Sequence, residues 1–562
     1  MSIPGGRPIA IVRSEASERC IGAANFADHA DHWRRRVEGA GYLTVTIGDA
    51  RLEAGLDAYA AVILPSVVCL GDAARRELER YVRQGGGMVA TWAFGARDAN
   101  GIWRGYDFLQ GLTGAVRFDL GHSEAPWFVS VRTASPLGAG VAGGSRMQVT
   151  SPERLEATAL EADAFWSDAR LRPRDPTLPA DYQAAVVRRQ LDGGRLVWQG
   201  FHESSAVTGE TERSSALELN SVVWAAQRPL VAVEPWPSPY LRSVLVAVDV
   251  SEYPDGARLL ARELAQAHIP ATFFVGPSLA SDADLVIGLA AAGELALKWQ
   301  RLADDRPRSH ILDRLRLEWA RLALWSRSSA WARGVRPFGD TLDDGSGEFL
   351  AEAGVRYFVA AGGVDSVLPS SRRVRRGPAW LAGEGSIVGL GRSTDDDLHL
   401  SPLGLEGLSP EWIAARILDD RESVRRLGGL YVLSVHSQGL GRPEYLAAVR
   451  TALAGLATSH SWIARGEDIA EWWSARSRLR LGVSSPSPAV LRIELANDAS
   501  QVLENLALVV YPGTLGETPR VRSLTPGPPA QIVVDPGGGR LHLTLPRLGP
   551  GRGTTIEITF AG

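Results

Sequence analysis

Between residues 243 and 440 the chain alternates short apolar strands with amphipathic helical stretches. LVAVDV is followed by the helical ARLLARELAQAH, then TFFVG, a helical stretch around Leu285 and ELALKW. A long helix from about His310 to Ala332 follows, then VRPFG, VRYFVAAG and LYVLSVH. Strand–helix units in series fold as parallel strands covered by helices, and this many of them argue for a (β/α) barrel. Such barrels carry their chemistry at the C-terminal ends of the strands, where Asp249, Arg336 and His436 fall.

The flanking regions read differently. Up to about residue 228, PIAIVR, YAAVILPS and MVATWAFG are strands, with helical spacing in FADHADHWRRRVEGAGY and DAARRELERYVRQGGG. The continuous apolar run YAAVILPS suits a parallel strand covered on both faces. AAVVRRQLDGGRLVWQGFHE reads as a hairpin closing that sheet. The Pro-rich VEPWPSPYL is a semi-rigid connector into the barrel. RGEDIAEWWSARSRLRL closes the barrel with a helix whose Trp472 and Trp473 seal its base. Beyond about residue 480, short alternating strands separated by Gly and Pro predict a small β-sandwich.

The fold class is therefore α/β multidomain: an α/β domain over 1–228, a barrel over 243–478 and a β-sandwich over 480–562. With 562 residues, the chain is too long for one core. Its net charge of −4 gives no electrostatic case for nucleic acid or an anionic membrane. The longest apolar runs are far short of a transmembrane span. The start lacks a basic region followed by an apolar one, so a cytoplasmic location is the expectation. With Cys20 and Cys69 the only cysteines, neither a disulfide framework nor a Cys-based zinc site is expected. Most of the 17 tryptophans read as core or rim residues rather than sugar platforms.

Four segments in order, SVLVAVDVSEYPDG with IPATFFVG, AAGELALKW, GVRPFGDTLDDG and GLYVLSVHSQGLG, resemble the polysaccharide deacetylase (NodB-homology) family. The resemblance covers roughly two-fifths of the chain and implies a distorted (β/α)7 barrel. It implies hydrolysis of an acetyl amide or ester on a glycan by a divalent metal, zinc as cofactor. In that family an Asp-His-His set holds the metal, a neighbouring Asp is the base and a His the acid. Asp249 falls at the base, His436 at the acid, and Arg336-Pro337 at the R-P motif whose Arg pairs with the base. Asp395, Asp396 and Asp397 resemble the acidic loop that contacts that Arg. Pro337, Asp396 and Trp299 are the candidate substrate-binding residues.

The metal ligands have gone. Val250 and Ser251 stand where the family carries its second Asp, with Glu252 the nearest carboxylate. Lys298 and Leu302 replace the two histidines. Lysine ligates only as a free amine, and lowering its pKa from about 10.4 to 7 costs roughly 5 kcal/mol. The expectation is instead that Lys298 pairs with Asp249 as an ammonium in the metal's place. His310 and the cluster Asp28, His29, Asp31, His32 are weaker metal candidates; the latter reads as an Asp-rich helix start.

The first region, over 1–228, resembles the class I glutamine-amidotransferase-like fold, which implies a flavodoxin-like doubly wound sheet. Ala93, Phe94 and Gly95 follow the strand whose turn carries the nucleophilic Cys in that fold's enzymes, so no glutaminyl thioester forms. The expected function is thus that of a polysaccharide deacetylase-like protein with a glycan as partner. The rival is a catalytically inactive glycan- or partner-binding pseudoenzyme within a polysaccharide assembly or export system.

Overall fold

The computed structural model describes the chain from residue 6 to residue 560, apart from 123–126, 133–134, 142–145, 150–152, 160–161, 168–182, 204–210, 300–308, 329–330, 341–349, 352, 362–378, 382–386, 393, 459, 488, 514–518, 526–530 and 535–538.

In the first domain, parallel strands run in the spatial order 44–47, 9–12, 61–64, 87–91, 194–199. The sheet continues through the antiparallel hairpin partner Ala184–Leu191 into further antiparallel strands. Two apolar clusters cover opposite faces. One joins Leu78, Val82 and Leu109 to Val62 and Leu64; the other joins Trp33, Val37 and Val222 to Ile63 and Val89. That is a doubly wound arrangement. The cysteines differ from the sequence expectation: Cys20 and Cys69 form a disulfide. The helix Glu15–Ile21 lies over the loop after strand Ala61–Leu64, and the Ser17 hydroxyl bonds the backbone N–H and carbonyl of Cys69 at 3.0 and 3.2 Å. The two half-cystines are 49 positions apart, so their meeting has no local signal. Cys69 also packs beside Ala93 and Ala96, in the turn region after strand Gly87–Thr91.

Among the described residues, the central domain has one nine-stranded sheet, in which seven parallel strands form a continuous path and the short strand Trp462–Ile463 pairs parallel with 243–250 beside it. The order along the path is 387–392, 357–361, 334–337, 294–299, 272–275, 243–250, 430–436, with a short antiparallel strand, Ala379–Leu381, at one edge. Alternation along each strand sorts its side chains. In Ser243–Val250, Val244, Val246, Val248 and Val250 pack under the helices, whereas Leu245 and Ala247 face the interior. Asp249 follows them on the interior face, at the strand's C-terminal end. The helices begin on ordinary signals: Pro254 and Asp255 in the first turn of Pro254–Gln266, and the Asp282 side chain accepting from Leu285 N–H before Ala283–Ala292. Among the described residues, no helix is long and apolar enough to cross a membrane.

Two four-stranded antiparallel sheets complete the chain. One of them takes the strand Leu230–Val233, which pairs antiparallel with Leu503–Tyr511, so the sandwich begins in the segment before the barrel rather than at residue 480. Trp236, Trp472 and Trp473 join the barrel interior to the sandwich core through Leu491, Leu506 and Leu543. The indole N–H groups of Trp236 and Trp472 are satisfied by the carbonyls of Gly428 and Pro235, both at 2.9 Å.

Candidate functional site

The interior positions at the C-terminal ends of adjacent strands meet at one mouth. Register pairs Asp249 with His436 and Lys298 with Arg336. With Ser251, Glu252, Phe338, Asp340, Arg392, Asp396, His399 and Gln438 they line a cavity of about 280 Å³.

Asp249 is 1% exposed, and its carboxylate is in an ion pair with the Lys298 ammonium. The Ser251 hydroxyl donates to its other oxygen, and His436 Nε2 lies 3.6 Å from Oδ2. Burial pulls Lys298 below its ordinary pKa and the charge of Arg336 adds to this, while Asp249 holds the ammonium in place. The ammonium also lies 5.1 Å from the centre of the Phe338 ring.

His436 is oriented by Asp397. Nδ1 is 2.6 Å from Asp397 Oδ1, and the backbone N–H groups of His436 and Leu440 donate to Oδ2 at 2.8 and 2.9 Å. With Nδ1 turned to the carboxylate, Nε2 faces the cavity. Burial disfavours the imidazolium, but the hydrogen bond and charge of Asp397, with the charge of Asp249, outweigh it and raise the pKa of His436. Gly439 is required here: a Cβ would lie 2.3 Å from Asp397 Oδ2.

Arg336 departs from the expected pairing. It grips Asp340 bidentately at 2.7 and 2.8 Å rather than Asp249. The turn Pro337-Phe338-Gly339-Asp340 folds back through positive φ at Gly339 (68°) and Asp340 (53°), bringing the carboxylate onto the guanidinium four residues earlier. Arg392 bonds the same carboxylate at 3.0 and 3.2 Å. Burial opposes ionisation of Asp340, yet Arg336 and then Arg392 hold its pKa well below the ordinary range. The acidic loop differs from expectation as well. Asp396 contacts Arg392 at 3.4 Å and His399 at 2.6 Å, Asp395 lies 3.8 Å from Arg416, and Asp397 serves His436.

Two candidate substrate-binding residues are placed elsewhere. Trp299 follows the strand's alternation onto the helix side, buried with Leu295 and Leu297, because one residue beyond the inward Lys298 points outward. Pro337 is buried and does not line the cavity; Asp396 does. Asp340, Arg392 and Asp397 join the site without having been named as its catalytic or binding residues. The Gly-Asp turn four residues after Arg336 is the one local signal for Asp340.

A divalent metal of the deacetylase type does not fit these residues. An ammonium sits on Asp249, and Ser251 offers only a hydroxyl already bonded to it. Asp396, Asp397 and His436 have potential ligand atoms within 4.8 Å of one another. Asp397 is nevertheless committed to three N–H donors, and Asp396 to Arg392, His399 and the Leu398 N–H. Leu302 lies outside the described residues, as does the side chain of His310 in the helix Ser309–Ser328. The candidate cluster on the helix Ala23–Gly39 separates: Asp28 is exposed, His29 faces Glu203 at 2.6 Å, Asp31 pairs with Arg34, and His32 pairs with Glu218 at 3.0 Å.

The family model of the beta-galactosidase trimerisation domain matches residues 22–116, where the sequence reading expects an amidotransferase-like domain. No curated protein matches the chain. Among solved structures, a protein described as a polysaccharide deacetylase from Mycobacterium smegmatis is 22% identical, covering 42% of this chain and 91% of its own, with a TM-score of 0.36. The Puue allantoinase is 16% identical over 43% of this chain and 93% of its own, with a TM-score of 0.35. A beta-galactosidase from Bacillus circulans sp. alkalophilus is 17% identical over 39% of this chain and 30% of its own, with a TM-score of 0.29. The match thus spans under a third of that beta-galactosidase's length.

Proposed function

We propose that the barrel is a glycan-recognising domain of the polysaccharide deacetylase type in which a fixed lysine charge has replaced the metal. The observation that carries this reading is the buried ion pair between Lys298 and Asp249. In a deacetylase the metal polarises the acetyl carbonyl and activates water. An ammonium supplies a compensating charge for Asp249 but has no open coordination position and does not bind hydroxide. The cavity wall then offers what sugar hydroxyls need: carboxylate acceptors on Asp396 and Glu252, guanidinium donors on Arg392, and the Phe338 ring as an apolar contact. We assign the flanking domains accessory roles. The turn after strand Gly87–Thr91 carries Trp92 and Ala93, with no thiolate to attack glutamine.

One observation favours a second reading, slow metal-free hydrolysis of an acetyl ester. The Asp397–His436 pair keeps the geometry of an oriented acid–base group. Purified protein tested against acetylated chitin oligomers and acetylated xylan separates the two. Binding without acetate release, unchanged by zinc or chelator, supports the glycan-binding reading. Acetate release that a chelator abolishes refutes both, and release lost only in His436→Asn supports the second.

A further inference from the structure

A second set of chemically capable side chains lies in the first domain, outside the barrel. His29 on the helix Ala23–Gly39, and His202 and Glu203 just after strand Gly194–Gln199, have ligand atoms within 4.8 Å of one another. We propose that these three residues form a mononuclear site for a divalent transition metal of the zinc class, with Ser66 beside its fourth position.

The carboxylate is arranged asymmetrically. Glu203 Oε1 is held by the Thr91 hydroxyl and the Trp33 indole N–H, the latter at 3.3 Å. Thr91 is itself fixed, because its oxygen accepts the Ser66 N–H at 2.7 Å. Oε2 is left facing the imidazole of His29 at 2.6 Å and the Ser66 hydroxyl at 2.9 Å. Ser66 Oγ lies 3.0 Å from His202 Nδ1. One oxygen anchored by outer groups and the other aimed at the ligands is how metal-binding carboxylates are oriented. Tetrahedral zinc with bonds of about 2.0–2.1 Å separates its ligand atoms by roughly 3.3 Å. The metal-free ligand atoms, all within 4.8 Å of one another, close on that spacing by side-chain movement.

Two further observations point to a ligand at this place. Ser66, Thr91, His202 and Glu203 all lie at or just beyond the C-terminal ends of parallel strands, the side on which doubly wound sheets bind their ligands. Ser66 and Trp92, which follow adjacent strands, both adopt positive φ (45° and 50°), a strain that collects at functional positions. The Trp92 ring lies 4.0 Å from that of His202, covering one face of the imidazole. Both cysteines are in the disulfide, so thiolate does not compete.

The test uses the full-length chain, stripped by chelator and titrated with zinc chloride by calorimetry, with metal analysis after dialysis. The expected result is one zinc per chain in the wild type, bound at least tenfold more weakly in His29→Ala, His202→Ala and Glu203→Gln, and undisturbed in Asp249→Asn. Cobalt(II) added to the wild type should give the intense visible bands of four-coordinate cobalt, a readout that needs no variant to fold. A wild type that binds neither zinc nor cobalt overturns the proposal. So does zinc retained at full affinity by folded His29→Ala and His202→Ala, or zinc lost in Asp249→Asn.

Discussion

Replacing Lys298 with methionine keeps most of the side-chain volume and removes the charge that Asp249 faces. Asp249 is 1% exposed, so its carboxylate is left with the Ser251 hydroxyl and with His436 Nε2 at 3.6 Å. Breaking one side of a buried pair costs about 3–5 kcal/mol, because the remaining charge stays desolvated. His436 softens that loss when protonated. Its folded-state pKa is already raised, and removing Lys298 raises it further. The imidazolium contribution is fully present below the unfolded value near 6.5 and is lost as pH rises through the folded value. Lys298→Met should therefore cost about 3 kcal/mol at pH 8 and about 1 kcal/mol at pH 5. Adding Asp249→Asn should recover at least about 2 kcal/mol of this at pH 8, since no buried charge then lacks a partner. Urea titration with hydrogen exchange of peptides spanning 243–250 and 430–436 separates barrel opening from the other domains. A single variant as stable as the wild type at pH 8, or a double variant no better than the single, would refute the reasoning.

Asp397→Asn should lower the His436 pKa, because it removes the charge and hydrogen bond that favour the imidazolium; histidine NMR titration checks this, and an unchanged value would contradict it. Glu294, buried at the other end of the barrel and bonded by Thr272, Tyr357 and the Glu467 N–H, has its pKa pushed up by burial to about 7. The native state then holds a proton that the unfolded chain loses near 4.5, so stability should fall by about 3 kcal/mol as pH rises from 4.5 to 7. Glu294→Gln should flatten that slope in denaturation measured across this range, and an equal slope in both proteins would exclude the assignment. The Cys20–Cys69 bond closes a loop with a sequence separation of 49, worth about 3–4 kcal/mol of unfolded-state entropy. Reductant should lower the unfolding temperature of the wild type but not of Cys20→Ser/Cys69→Ser, as calorimetry will show.

Much of the fold is legible because its signals are local. The apolar strands and the amphipathic helices between them identify parallel sheets before any contact is known. The interior face of the barrel mouth is legible for the same reason: Asp249, Lys298 and Arg336 are the penultimate residues of their strands and His436 the last of its own, all on the inward parity. The same parity places Trp299 on the helix side, a point that the resemblance to deacetylases obscures. What sequence does not disclose depends on chain reversals and distant meetings. Asp340 reaches Arg336 through two positive-φ residues, and Asp397 finds His436 across 39 positions. The disulfide joins a helix to a loop after another strand. His29 turns to Glu203 from the far end of the first domain's sequence, away from the helix neighbours that its spacing suggests. Strand Leu230–Val233, which runs up to the connector, joins the sandwich, because its partner edge is completed only by residues 503–511.

The central claim is that an ammonium occupies the place of a metal at the barrel mouth. A crystal of the full-length protein soaked in zinc, with anomalous scattering recorded at the zinc edge, tests it most directly. The account predicts no anomalous peak between Asp249 and His436, with Lys298 Nζ still on the Asp249 carboxylate. A full-occupancy peak coordinated by Asp249, with Lys298 displaced from it, would contradict it.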